Sequence, residues 1–329
     1  MYIVTGGAGF IGSNLVHGLN RHGISDILVV DNLADPRKLE NLHGARFIDY
    51  LDKREFRRAL KERALGIAKV EAVFHQGACT NTLEDDGVYM MDNNFTCSKE
   101  VLEYAQQQGA PLVYASTAAV YGLSGPGHFT PELENEKPLN VYGFSKLVFD
   151  HYVRKRMAEG SLEGTVVGLR YFNVYGPREG HKGRMASVMH HFAKQMKETG
   201  KVKLFEGSGG YGNGEQRRDF VFVRDLVELN LFFAQAGPYA GAKIYQAVVN
   251  AGSGTARTFR EVVHALEEVH GPTKIEYIPM PADLKDRYQH FTEADLAGLR
   301  ATGCDVKFTS LEEGVRETFA QAEPALARA

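Results

Sequence analysis

Tyr142 and Lys146, in Tyr142-Gly143-Phe144-Ser145-Lys146, carry a phenol and an ammonium four residues apart. On a helix they share one face. A cation beside a phenol stabilises the phenolate and moves its pKa from about 10 towards neutrality, which equips the tyrosine to exchange a proton with a carbinol. Many solvated helices carry the same pair, so it gains weight only in company. Ser116-Thr117 supplies that company, a hydroxyl pair upstream at the end of the apolar run Pro111-Leu112-Val113-Tyr114. Parallel sheets place their chemistry at such strand ends. The spacing leaves both Ser116 and Thr117 open as the hydroxyl that faces a substrate.

A second constellation is Thr5-Gly6-Gly7-Ala8-Gly9-Phe10-Ile11-Gly12, directly after Tyr2-Ile3-Val4. Gly6 permits a tight turn, Gly9 lets a pyrophosphate approach the backbone, and Gly12 lets helix and sheet pack closely. Asp31 follows Gly12 by nineteen residues and ends the run Ile27-Leu28-Val29-Val30, the position that holds an adenosine ribose hydroxyl. Asp31 argues for NAD, whereas Asn32, Arg37 and Lys38 would suit the extra phosphate of NADP. Asp49, read as closing a third strand Phe47-Ile48, is either an acceptor for the adenine amine or an ordinary turn residue.

These groups need a scaffold that aligns strand ends. Short apolar runs at 2–4, 27–30, 47–48, 72–74, 111–114 and 165–169, each followed by a helix-length segment, predict a parallel sheet buried on both faces. Right-handed crossovers make it a doubly wound α/β sheet. Beyond residue 173 the pattern changes to glycine- and charge-rich loops, notably Glu206–Arg217, then strands at Tyr245–Val249 and Lys274–Ile278 and helices around Phe259–Val269 and Leu311–Ala320. The expected division is 1–173 for the dinucleotide domain and 174–329 for a smaller lobe, with later segments returning to the first sheet.

With 38 basic and 41 acidic residues and a net charge of −3, the chain has no basic field for nucleic acid. Its three cysteines, Cys79, Cys97 and Cys304, form no metal-ligand or disulfide spacing, and the adjacent His190-His191 pair is not ligand spacing either. No metal is expected. The absence of a basic start with an apolar core, or of a run long enough to cross a bilayer, predicts a soluble, cytoplasmic protein.

Hydroxyl, tyrosine and lysine in this order resemble the extended short-chain dehydrogenase/reductase superfamily. Further segments narrow the resemblance to its nucleotide-sugar epimerase branch, and there to enzymes that act on ADP-heptoses. They are Phe74-His75-Gln76-Gly77-Ala78-Cys79, Tyr89-Met90-Met91-Asp92-Asn93-Asn94, Lys137-Pro138-Leu139-Asn140-Val141, the block from Arg170-Tyr171-Phe172-Asn173 to Glu179-Gly180-His181-Lys182-Gly183, Met185-Ala186-Ser187-Val188 and Arg287-Tyr288-Gln289. The similarity runs from residue 1 to nearly the C-terminus.

The resemblance implies a Rossmann sheet with a smaller mixed α/β C-terminal substrate lobe, and inversion of C6″ of an ADP-heptose through a transient ketone, for lipopolysaccharide inner-core precursors. It implies tightly held NADP, in preference to NAD, and a homo-oligomer, a pentamer. Two acid/base groups on opposite faces suit an inversion, and the resemblance assigns them to Tyr142 and Lys182, with Lys146 supporting. Lys182 would need a depressed pKa. For the cofactor it implies Phe10, Ile11, Asp31, Asn32, Lys38 and Lys53, the stretch Gln76, Gly77, Ala78, Cys79 and Thr80, and Asn93, Lys146, Val174 and Lys182. For the substrate it implies Asn173, Arg184, His191, the stretch Phe205, Glu206, Gly207 and Ser208, and Arg218 and Tyr288.

Two departures stand out. Arg184 replaces a small hydroxyl residue, and the loop Gly209–Gln216 is long. A UDP-hexose 4-epimerase is the competing enzyme. A 4,6-dehydratase would want an acidic pair where Ala118-Ala119 stand. A catalytically silent NADP-binding protein would have no use for Tyr142, Lys146 and the hydroxyl pair.

Overall fold

The computed structural model describes residues 1–281 and 288–319. Arg287 of the quoted motif and the last residue of the expected helix Leu311–Ala320 lie outside them. Seven strands form one all-parallel sheet: β1 (Tyr2–Thr5), β2 (Ile27–Asp31), β3 (Asp49–Asp52), β4 (Ala72–His75), β5 (Leu112–Thr117), β6 (Val166–Tyr171) and, much later, Gln246–Ala251. Between the last two come β7 (Asn173–Tyr175), β8 (Lys201–Phe205) and β9 (Arg217–Phe222), so Gln246–Ala251 is β10, followed by β11 (Ala256–Thr258) and β12 (Lys274–Ile278). The order across the large sheet is β10-β6-β5-β4-β1-β2-β3. Two small sheets, β11-β9-β7 and the parallel pair β12-β8, belong to the later part of the chain.

The sheet explains the continuous apolar runs. Ile3, Leu28, Val30 and Val73 pack into one helical layer, while Val4, Ile27, Val29, Ala72 and Phe74 pack into the other. Successive residues of a strand point to opposite faces, and here both faces are buried. The order reverses between β1 and β4, which opens a crevice at the carboxyl ends of those strands.

One strand differs from the sequence expectation. Phe47-Ile48 is not strand but the irregular segment and bend that lead into β3, and Asp49 opens the strand instead of closing it. In the register Asp49 pairs with Leu28 while Asp52 pairs with Asp31. Asp49 therefore sits at the far end of the sheet from the crevice, where its carboxylate accepts from the Tyr50 N–H at 2.8 Å. It cannot meet an adenine, and Lys53, just past the strand end, lines the crevice instead.

Candidate active site

The glycine loop runs from β1 into the helix Phe10–Arg21. Gly6 has φ +67°, and a Cβ there would lie 2.8 Å from the Gly77 backbone; one on Gly12 would lie 2.1 Å from the Gly6 carbonyl. Neither position tolerates a side chain. Gly9 is the N-cap, with no side chain capping the helix and no acid in its first turn. The free N–H groups face a cavity of about 430 Å³ lined by Gly6, Gly9, Phe10, Ile11, Gly12, Asp31, Asn32, Lys38, Lys53, Cys79, Thr80 and Asn93, and also by Gln76, Gly77, Ala78 and Lys182. An uncapped helix start beside glycines is the chemistry a pyrophosphate needs, so these residues fit a dinucleotide.

At the far corner, the Asp31 carboxylate accepts from the Ala8 and Asn32 N–H groups and from Lys38 Nζ at 2.9, 2.6 and 2.8 Å. It thereby fixes the glycine loop. Of the cationic pair only Lys38 lines the cavity; Arg37 is held by Asp35 and by the His181 carbonyl.

A second cavity of about 780 Å³ adjoins the first, with Phe10, Ile11, Gln76 and Lys182 lining both. Its walls bring together Ser116, Thr117, Tyr142, Lys146, Asn173, Val174, Lys182, Arg184, His191, Phe205, Arg218 and Tyr288. Tyr142 and Lys146 project from the first turns of the helix Val141–Ala158, whose N-cap Asn140 accepts from the Gly143 N–H at 2.8 Å. The hydroxyl pair divides: Thr117 lines the cavity with Tyr142 and acts to lower the phenol pKa, whereas Ser116 donates to buried Asp150 at 2.8 Å.

Glu206, Gly207 and Ser208 are not brought to the cavity. Glu206 and Gly207 are exposed, and the Ser208 hydroxyl accepts from Gln216 in the adjoining loop. Only Phe205 of that stretch turns inward, because strand alternation ends there.

The electrostatics depart from the simple tyrosine–lysine picture. Burial pushes the Tyr142 phenol above its ordinary value, and the Thr117 hydroxyl works against that. Lys146 Nζ donates to the Ala115 carbonyl at 2.8 Å, and burial takes its pKa down to about 8 while Asp150 opposes the fall. The expected acidification of Tyr142 is thus not supplied by protein groups alone. Lys182 does meet its expectation: burial lowers its pKa, against the pull of Glu179, and Nζ lies 5.3 Å from the Phe10 ring centre. Arg218, buried and with its guanidinium 4.9 Å from the Tyr288 ring centre, makes no ion pair among the described residues. Burial lowers its pKa too.

The segment 89–94, read from the sequence as bringing Asn93 to the cofactor, gives no role to Asn94. Asn94 lies on a π-helical turn, Met91–Thr96, and is fully buried. Its amide donates to the Ser145 hydroxyl and exchanges two bonds with the Cys79 backbone, tying the cofactor loop to the tyrosine helix. A widened helical turn leaves no periodic trace that a sequence reading could use. Lys203 and Gln195, which line the larger cavity, were also missed.

A family model described as NAD dependent epimerase/dehydratase family matches residues 2–252. The chain belongs to the NAD dependent epimerase/dehydratase family. Within that family it is 54% identical over 316 residues to the ADP-L-glycero-D-manno-heptose-6-epimerase of Alkalilimnicola ehrlichii, covering 96% of this chain and 95% of that protein. The crystal structure of the Helicobacter pylori ADP-L-glycero-D-manno-heptose-6-epimerase matches with a TM-score of 0.78 at 31% identity, over 97% of this chain and 94% of that one. The Thermus thermophilus UDP-glucose 4-epimerase, solved with NAD, matches with 0.75 at 32% identity, over 98% and 99%. A pyridine nucleotide is accordingly the redox group of this epimerase/dehydratase site, and the glycine-loop cavity fits it.

Proposed function

We propose that the chain inverts C6″ of ADP-D-glycero-D-manno-heptose to the L-glycero form on bound NADP, as a step towards lipopolysaccharide inner-core heptose. The carrying observation is that two proton-transfer groups from different parts of the fold, Tyr142 and Lys182, line one cavity, with Lys182 at its junction with the nucleotide cavity. The 54% identity to a heptose epimerase over 96% of the chain favours the heptose.

The nicotinamide, when bound, accepts and returns the hydride, and in its oxidised form brings the positive charge that the environment of Tyr142 lacks. Tyr142, with Thr117 in the same cavity wall, moves the proton of the C6″ hydroxyl on one face of the transient ketone. Lys182 moves it on the other, and its burial, which lowers its pKa, makes the free amine easier to reach. Arg218 and Tyr288, side by side in the cavity wall, would offer a diphosphate a guanidinium and a hydroxyl. For the cofactor, Lys38 on the rim beside Asp31, whose carboxylate is already engaged, favours the 2′-phosphate of NADP. The reading also carries a cytoplasmic homo-oligomer, a pentamer, which sedimentation checks.

The test is to give the purified protein ADP-D-glycero-D-manno-heptose without added cofactor, following C6″ by proton NMR and net nucleotide reduction by absorbance. Inversion without accumulated reduced nucleotide supports the assignment. No inversion even with added NADP redirects it to UDP-hexoses. Tyr142→Phe should lose turnover and keep the cofactor, and Lys182→Met should lose inversion; full inversion in the latter ends the two-group scheme.

A further inference from the structure

Lys182 sits on the 3₁₀ segment Gly180–Met185, interrupted at Gly183 with φ +53°. Short loops of this kind fray unless tied at both ends. One end is tied by Glu179, whose side chain is almost wholly buried. One of its oxygens accepts from the Ser187 hydroxyl at 2.7 Å and from the Gly176 N–H at 3.3 Å; the other accepts from the Ser187 N–H at 2.5 Å. Residues 179 and 187 bracket the segment, so a single carboxylate closes it into a loop with Lys182 inside. Ser187 is also the N-cap of the helix Val188–Thr199, which carries His191 into the same cavity. The other side is clamped to the nucleotide half. Asn14 donates to the Pro177 carbonyl and accepts from Arg178, which adopts a left-handed φ of +73°, and Arg37 donates to the His181 carbonyl.

The groups that surround Lys182 are these. On its own segment are His181 and Arg184. Tyr142 and Lys146 of the helix Val141–Ala158 and His191 of the helix Val188–Thr199 line the same cavity. In the nucleotide cavity are Asp31 and Asp35, already bonded to Lys38 and Arg37. Glu179 is the described carboxylate whose charge acts on Lys182, and it favours the ammonium against burial.

We propose that Glu179 is the positioning residue of the second proton-transfer group: it closes the loop that aims Lys182 into the cavity and provides the negative charge against which the ammonium gives up its proton. The inference rests on the reading of Lys182 as that group.

The experiment labels the lysines of the intact protein by reductive ¹³C-methylation and titrates them by NMR, the Lys182 resonance being assigned by its loss in Lys182→Met. In Glu179→Gln, which can still bond Ser187, Lys182 should titrate at lower pH than in the parent. kcat should fall on the order of tenfold with KM little changed, as expected for a proton-transfer group that loses its charge partner while the binding contacts stay. Glu179→Asp, which restores the charge, should bring the titration back towards the parent. An unmoved Lys182 resonance in Glu179→Gln, with the protein folded, overturns the proposal. Full turnover in Lys182→Met overturns the reading beneath it instead, and leaves the titration result standing.

Discussion

Lys146 is where the chemistry and the burial of this site conflict. A lysine that ordinarily titrates at 10.5 is brought to about 8 by burial, and Asp150, two turns beyond Tyr142 on the same helix, resists first, ahead of Cys97. Asp150 is itself fully buried, accepting from Ser116, Tyr114 and Arg170 at 2.8, 3.0 and 2.9 Å. Removing its charge takes away the main opposition, so the pKa of Lys146 falls further. If the charged form supports Tyr142, the alkaline limb of the epimerisation profile begins as Lys146 loses its proton near pH 8. In Asp150→Asn that limb should move to lower pH, measured as initial rate against pH. An unshifted limb would remove Asp150 as the charge partner. The same variant breaks one arm of a buried ion pair, so a stability loss of about 3 kcal/mol in denaturant is expected alongside, moderated because Glu136 still holds Arg170.

At the scale of elements, the tyrosine helix depends on its first turn. Asn140 caps it, and Tyr142 lies two residues on. Asn140→Ala should cost about 1 kcal/mol in urea unfolding and lower kcat, because the turn that frays is the turn that holds the phenol. Much of this level was legible in the sequence. The glycine loop, the strand ends at Asp31 and Ser116-Thr117, and the helical spacing of Tyr142 and Lys146 follow from apolar period and glycine chemistry. The bounds of β3 were not legible, because it is an edge strand, Asp-Tyr-Leu-Asp, without the apolar face that identifies its neighbours, while the apolar Phe47-Ile48 lies in the irregular approach to it. Nor was the state of Tyr142, since the spacing from Lys146 says nothing of the Ala115 carbonyl that engages the ammonium. The inward turn of Phe205 and outward turn of Glu206 likewise depend on where β8 stops.

For the whole molecule, stability has an acid weakness at its centre. His75 ends β4 fully enclosed, between the Thr5 and Ser98 hydroxyls at 2.7 and 2.9 Å, and burial takes its pKa down to about 3. The native imidazole is therefore neutral, whereas the unfolded one binds a proton below about 6.5. Between those values the unfolded state holds the extra proton, so stability falls as pH drops, by about 1.4 kcal/mol per unit from this group. Unfolding at pH 5 should show about 2 kcal/mol less stability than at pH 7 from this source, and His75→Gln should lack that part of the slope. An equal slope in both proteins would place the acid sensitivity elsewhere.

The large sheet is also completed late. β10 pairs with β6 along its whole length, Gln246 to Ala251 against Val166 to Tyr171, so residues 1–173 alone would expose a long apolar edge. That fragment should self-associate in sedimentation; a monodisperse, cooperatively melting fragment would show that β6 can close the sheet unaided.

The same pairing sets a timetable for synthesis. A ribosome must add all of residues 172–245 after β6 has emerged before the partner strand exists, an interval on the order of ten seconds at ordinary elongation rates. During that interval the nascent chain carries six finished strands and an unpaired seventh place, while the loops and small sheets bearing Lys182 and Arg218 are still being made. A holding chaperone, or a slow codon stretch placed after β10 and not before it, is what such a chain would gain most from.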